Sequence, residues 1–208
     1  MTCGDRHDPP RPFWEASYQD DDAATFGPPS SELDPVVASL PRGARALDLG
    51  CGDGRNTLHL ARLGCEVDAV DISERGVGKL RRLLRREGLE ARAWVQDAAT
   101  LILRRSYHLV VCQGLLHLLP QDARLPLVER LKEATLPGGR HVVDAFSDRI
   151  PSPPDLAPFT PHLLAEGELA RWYGDWGVSF RSWTLQDEHP GGVRHRHAVN
   201  SVVARRHR

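Results

Sequence analysis

Asp48-Leu49-Gly50-Cys51-Gly52-Asp53-Gly54 lies between an apolar stretch, Ala44 to Leu49, and a helical pattern that starts near Arg55. Its three glycines allow a sharp turn and let a ligand approach the backbone with no Cβ in the way. A helix opening at such a turn points its first N–H groups at an anion, which suits a pyrophosphate and equally the carboxylate of an amino acid. Dinucleotide folds space these glycines as G-x-G-x-x-G. Here the third comes one residue earlier and a carboxylate, Asp48, precedes the first. The spacing therefore points to a ligand with an amino acid end, its ammonium offered to Asp48.

Outward from this turn the pattern alternates. Strands are predicted over Ala44 to Leu49, Glu66 to Val70, Ala91 to Gln96, Tyr107 to Cys112 and Arg140 to Phe146, and helices over Arg55 to Leu63, Glu74 to Glu87 and Asp122 to Thr135. Short apolar strands separated by helices imply βαβ units and a parallel sheet covered on both faces. Upstream, Ser30 or Ser31 can cap a helix through Leu40, which Pro41-Arg42-Gly43 stops. Downstream, Pro151, Pro153, Pro154, Pro158 and Pro161 break helix and ladder alike, so residues 147–165 read as an inserted loop. A helix over Glu166 to Tyr173 follows, and strands Val178 to Gln186 and Val193 to Ala204 flank a turn at His189-Pro190-Gly191-Gly192. The expected fold is α/β and Rossmann-like: a mostly parallel seven-stranded sheet with an antiparallel C-terminal hairpin at its edge and helices on both faces. Residues 30–208 form one domain in this reading, and residues 1–29 a mobile arm. Trp14 and Tyr18, four apart, share a helix face on that arm and can lid a pocket, unless they simply pack.

The 208 residues, 40% of them hydrophobic, suffice for one substantial core. Lysine and arginine number 27 against 28 acidic residues, and the two signs are interspersed, so no overall field favours nucleic acid or an anionic membrane. Even the cluster Arg81, Arg82, Arg85 and Arg86 alternates with Leu80, Leu83 and Leu84, as the solvated side of an amphipathic helix does. The expected partner is a small-molecule acceptor, and the expected assembly a monomer or homodimer. No apolar stretch approaches the roughly 20 residues of a membrane helix, and the polar, proline-rich start lacks the apolar segment of a signal peptide. A cytoplasmic address is expected. Cys3, Cys51, Cys65 and Cys112 form no CxxC pair, which argues against a zinc site and a disulfide framework. No metal is expected. Cys51, inside the glycine turn, reads as a small packing residue, since nothing nearby would lower its pKa.

Ligands of open α/β sheets bind outside the carboxyl ends of the strands. Asp71 ends the second strand about 20 residues beyond the glycines, where a carboxylate accepts from both ribose hydroxyls. Asp97 ends the third and can accept from an adenine amine, with the N–H of Ala98 facing a ring nitrogen. S-adenosylmethionine (SAM) carries these groups in this order: an amino acid end, a ribose diol and an adenine, joined through a sulfonium. One such aspartate is ordinary capping chemistry. Three at consecutive strand ends behind a glycine turn form a chain of matches.

Ala46 to Gly54, Val70-Asp71-Ile72-Ser73, Gln96-Asp97-Ala98, Gln113 to Pro120 and Leu136-Pro137-Gly138-Gly139 together resemble the class I SAM-dependent methyltransferases, over about 44–146. The resemblance implies SAM as cofactor and S-adenosylhomocysteine as product. It also implies a cofactor-binding set of Asp48, Gly50, Cys51, Gly52, Gly54, Arg55, Asn56, Asp71, Ile72, Asp97, Ala98 and Gln113. A narrower similarity, to tellurite-resistance (TehB-type) methyltransferases, rests on Gly52 to Thr57, Phe159, Glu166-Gly167-Glu168-Leu169, Tyr173 to Trp176 and Ala204-Arg205-Arg206. In that family a histidine and an arginine near the final hairpin act on the substrate side. His189 and Arg194 are the nearest matches, although Pro190 stands where the family has an arginine after its histidine. The resemblance implies a soft chalcogen or thiol acceptor of the tellurite or selenite type, which needs no base. The alternatives are an oxygen or nitrogen acceptor, with His117 or His189 as base, and a module that holds SAM without turnover. His117, just past the fourth strand, serves either as a pocket wall or as that base. His195 and His197 alternate with Arg194 and Arg196, so a strand puts histidines and arginines on opposite faces.

Overall fold

The structure, a computed structural model, describes residues 15, 18, 25, 27–154, 157, 160, 162–188 and 194–207. Trp14, Phe159 and His189 lie outside the described residues, and Arg194 and His195 are described only by their backbone. The elements run α1 (Leu33–Ala38), β1 (Arg45–Leu49), α2 (Arg55–Arg62), β2 (Glu66–Asp71), α3 (Glu74–Glu87), β3 (Arg92–Val95), β4 (Tyr107–Gln113), α4 (Gln121–Glu133), β5 (Thr135–Ser147), α5 (Glu168–Trp172), β6 (Gly177–Glu188) and β7 (Arg194–Arg205). They build a seven-stranded sheet in the order β3-β2-β1-β4-β5-β7-β6. β1 to β5 pair in parallel, and β7 joins β5 antiparallel.

The hairpin is antiparallel as expected, but its second strand lies inside the sheet and its first, β6, forms the edge. Chain order does not reveal this. What decides it is burial: β7 carries Ala198, Val199, Val202 and Ala204, all buried, whereas β6 leaves Val178, Phe180, Trp183 and Leu185 partly exposed. The helix before β1 is also shorter than expected, because Glu32 takes the N-cap position and makes no side-chain cap bond. Ser30 Oγ only accepts from the Glu32 N–H at 3.4 Å. α3 matches its predicted bounds since both of its signals are local. Ser73 Oγ accepts from the Gly76 N–H at 2.9 Å, and Gly88 adopts φ 65° at the other end.

Period-2 alternation divides the core. β1 sends Leu47 and Leu49 to one face, where they pack with Leu127, Leu131, Leu169 and Tyr173 of α4, α5 and the turn that follows α5. Ala46 faces the other way, toward Leu33, Val36 and Leu60 of α1 and α2. Leu80 and Leu84 of α3 close over Ala69 on that second side. Between Ser147 and Glu168 the described residues hold no helix or strand beyond one bridge, Ser147 to Leu164. Every loop at the carboxyl ends of β1 to β5 therefore opens at one edge of the molecule.

Candidate cofactor and acceptor site

The glycine turn is fastened to the next strand. Gly50 N–H and Cys51 N–H both donate to Val70 O, at 2.8 and 3.0 Å. Gly52 turns at φ 53°, and a Cβ there would stand 2.4 Å from the Tyr18 hydroxyl. Tyr18 is thus buried against the turn, while its proposed companion Trp14 lies outside the described residues. Burial, with Asp71 and Asp53 close by, raises the Tyr18 pKa, so the phenol keeps its proton.

The three expected carboxylates all stand at this edge, each in a different state. Asp48 is 2% exposed, beneath the turn, with Thr57 Oγ1 donating to its Oδ2 at 2.6 Å. Burial pushes its carboxyl up to about 6, with the Thr57 hydroxyl and nearby Arg55 pulling the other way. Asp71 accepts from the Gly52 N–H (2.8 Å, Oδ2) and the Ser73 N–H (2.8 Å, Oδ1), so it braces the turn. Burial raises its pKa against those two donors. Asp97 is exposed and caps the short turn after β3, its Oδ1 accepting from the Ala99 N–H at 2.8 Å, while Ala98 beneath it is buried. Beside them Ile72 is 55% exposed, a large apolar side chain left open at the cleft. Carboxylates at three strand ends, a glycine turn and an uncovered isoleucine fit an amino acid, a diol and a flat heterocycle. Cys51 is buried and its thiol pKa raised by burial, so it packs and stays protonated, as its sequence context suggested.

Sequence reasoning named Asn56 and Gln113 but missed the relay that joins them. Ser30 N–H donates to Asn56 Oδ1 (3.2 Å), and Asn56 Nδ2 donates to Gln113 Oε1 (3.0 Å). Gln113 ends β4 directly beside Asp144 of β5, which accepts from the Gly114 N–H at 2.8 Å and which burial pushes up to about 6. Asp144 was legible only as an aspartate inside the apolar run His141 to Phe146. A second feature missed is a buried ion pair, Lys79 Nζ to Asp53 at 3.0 Å. Thr25 of the arm donates to the same carboxylate through Oγ1 (2.6 Å) and N–H (3.2 Å). Nothing in the spacing of residues 25, 53 and 79 announces that contact.

Past β4, His117 is buried and its ring stacks on Phe146 at 4.1 Å. Phe146 stacks in turn on His197 at 4.0 Å. His117 Nδ1 accepts from the Phe146 N–H at 3.3 Å, and burial, then His197 and Arg124, holds the ring down at about 3. It is therefore neutral, with its proton on Nε2. The buried Arg124 guanidinium donates to Leu119 O at 2.9 Å and to His162 O, joining the loop after β4 to the proline-rich loop. β6 and β7 continue past the last β5 pair, Ser147 with Ala198, as far as the pair Glu188 with Arg194. Among the described residues no group of histidines, cysteines or carboxylates is arranged to hold a metal ion, and no helix is long and apolar enough to cross a membrane.

The family model for the tellurite resistance protein TehB matches residues 25–189. A protein of Haemophilus influenzae described as a probable S-adenosyl-L-methionine-dependent methyltransferase TehB is 31% identical over 142 residues, which cover 67% of this chain and 48% of that protein. The chain thus spans about half the length of the curated TehB relatives it matches. The crystal structure of Haemophilus influenzae TehB superposes with a TM-score of 0.74 at 26% identity, over 84% of this chain and 60% of that one. The N-methyltransferase NodS of Bradyrhizobium japonicum, solved with S-adenosyl-L-homocysteine, shares the fold at 16% identity, with a TM-score of 0.68 over 93% of this chain and 96% of its own.

Proposed function

Since the chain belongs to the TehB family, we propose that it is a SAM-dependent methyltransferase acting on a small soft nucleophile, a chalcogen oxyanion or a thiolate. The observation that carries the cofactor is the set Asp48, Asp71 and Asp97 at three consecutive strand ends around the glycine turn. SAM when bound supplies an electrophilic methyl on a sulfonium that leaves as a neutral thioether. In this reading Asp48 is offered to the ammonium and the N–H groups at the start of α2 to the carboxylate. Asp71 takes the ribose diol, Asp97 and the Ala98 N–H the adenine, and Ile72 covers its face. Asn56 and Gln113 hold the two halves of the cleft at a fixed spacing through their shared hydrogen bond. Tyr18 closes the turn from above.

The acceptor meets the stack of His117, Phe146 and His197, while Arg194, on the opposite face of β7 by strand alternation, and His189, beyond the described residues, attract an anion from the rim of the hairpin. A histidine held near 3 with Nδ1 already accepting a hydrogen bond is a poor general base, and a soft anion needs none. The protein's task is then alignment and exclusion of water. One observation favours a second reading, an oxygen or nitrogen acceptor. Asp144, near 6 beside the loop after β4, is suited to taking a proton at neutral pH. The test is transfer of labelled methyl from SAM to tellurite, selenite and small thiols, against catechols and amines, with EDTA present, by the parent and Asp144→Asn. The soft-acceptor reading expects chalcogen or thiol turnover that survives both EDTA and the substitution. Turnover confined to oxygen or nitrogen acceptors and lost in Asp144→Asn would refute it.

A further inference from the structure

At the end of the sheet opposite the cofactor cleft, a groove of about 610 Å³ runs between the C-terminus of α1 and the start of β5. Two arginines line it. Arg140 and Arg205 are direct cross-strand partners in the antiparallel β5–β7 pair, so their side chains leave the same face. Like charges placed opposite each other destabilise a ladder unless something of the other sign lies between them. No acidic residue lines the groove. Neither guanidinium has a hydrogen bond or ion pair with a described residue, and the Nε of Arg140 is buried with no acceptor. A buried charged donor left unmatched is costly, and proteins seldom keep one without a partner.

Ser39 and His108 add two polar side chains to the lining, and the rest is apolar or backbone: Leu40, Pro41, Leu136 and Pro137, with Gly138 and Gly139. We propose that this groove is a binding site for a phosphate monoester with an apolar body, its phosphoryl group held by Arg140 and Arg205. Two unneutralised guanidiniums match the near-dianionic charge that such a monoester carries at neutral pH. The planar fork of each donates to two oxygens of one anion. The groove is larger than one phosphate requires, and Leu40, Pro41, Leu136 and Pro137 give the excess volume an apolar wall.

The test is calorimetric titration of the full chain at constant ionic strength with phenyl phosphate, inorganic phosphate and acetate. Phenyl phosphate should bind saturably and more tightly than inorganic phosphate, and acetate at least tenfold more weakly. Arg140→Gln and Arg205→Gln should each weaken phenyl phosphate at least tenfold, with circular dichroism and cooperative melting showing that the variants are folded. Arg205 is exposed at a strand end, so its variant carries the test if Arg140→Gln does not fold. The proposal is overturned if no phosphate binds saturably. It is also overturned if binding survives both substitutions, which would place the anion at another site such as the glycine turn.

Discussion

The proposed cofactor side and the proposed acceptor side of the cleft are held together in different ways. On the cofactor side each functional carboxylate lies at or just past a strand end, and the groups that fix Asp71 and Asp97 are backbone N–H donors from the adjoining turns: Gly52 and Ser73 for Asp71, Ala99 for Asp97. On the acceptor side His117, Phe146 and His197 come from a loop and two strands and meet by ring stacking at 4.1 and 4.0 Å. Hydrogen bonds to the backbone survive changes of neighbouring side chains, whereas a stack of rings changes shape with any member. The difference teaches that the first half of the cleft suits one cofactor, while the second can be recut for different acceptors.

Asp71→Ala gives the largest break in that contrast. It should weaken S-adenosylhomocysteine more than tenfold in calorimetry. Because the two N–H groups it frees lose their acceptor, it should also lower the melting temperature, at a cost of about 1–3 kcal/mol. A carboxylate used by the ribose alone would leave the melting temperature in place. Unchanged affinity would remove Asp71 from the cofactor site.

Next in size, Phe146→Ala should lower kcat/KM for the acceptor about tenfold, since alignment of the acceptor is what the stack contributes. S-adenosylhomocysteine affinity should stay within twofold. Equal losses in both would show that the two sides are one packing unit.

The smallest effect sharpens the comparison through pH. Asp48 has a folded-state pKa raised to about 6, so between about 4 and 6 the ligand-free fold keeps a proton that the unfolded chain has released. Its contribution to stability is therefore lost as pH rises through that window and is flat above it. An ammonium requires the ionised form, so SAM affinity should run the other way. It should be constant above pH 7 and about fourfold weaker at pH 5.5, following a single carboxyl of pKa near 6. Titrations in which Asp48→Asn retains the same pH dependence would assign the proton elsewhere.

Spacing alone made the parallel strands, the helices between them and the three aspartates legible, because each depends on short-range physics. Apolar period, glycine conformations and capping bonds are settled within a few residues, and Asp48, Asp71 and Asp97 owe their positions to the strand ends that those signals define. What residues far apart in sequence do together was not legible. The β7-inside, β6-outside order, the Asn56–Gln113–Asp144 relay, the Thr25–Asp53–Lys79 contact and the His117–Phe146–His197 stack each require a strand register or a loop path. Residues 1–29 read from composition as a mobile arm, yet a deletion of residues 1–20 would remove the Tyr18 ring from its buried seat on Gly52. His117 shows the division in one residue. Its position just past β4 was set by the sequence, but its state as a neutral ring with Nδ1 occupied came from the β5 backbone brought beside it. Sequence determines where a side chain leaves the backbone, because that is local geometry. Only the tertiary structure decides its protonation and partners, because burial and hydrogen bonding are properties of whatever surrounds it.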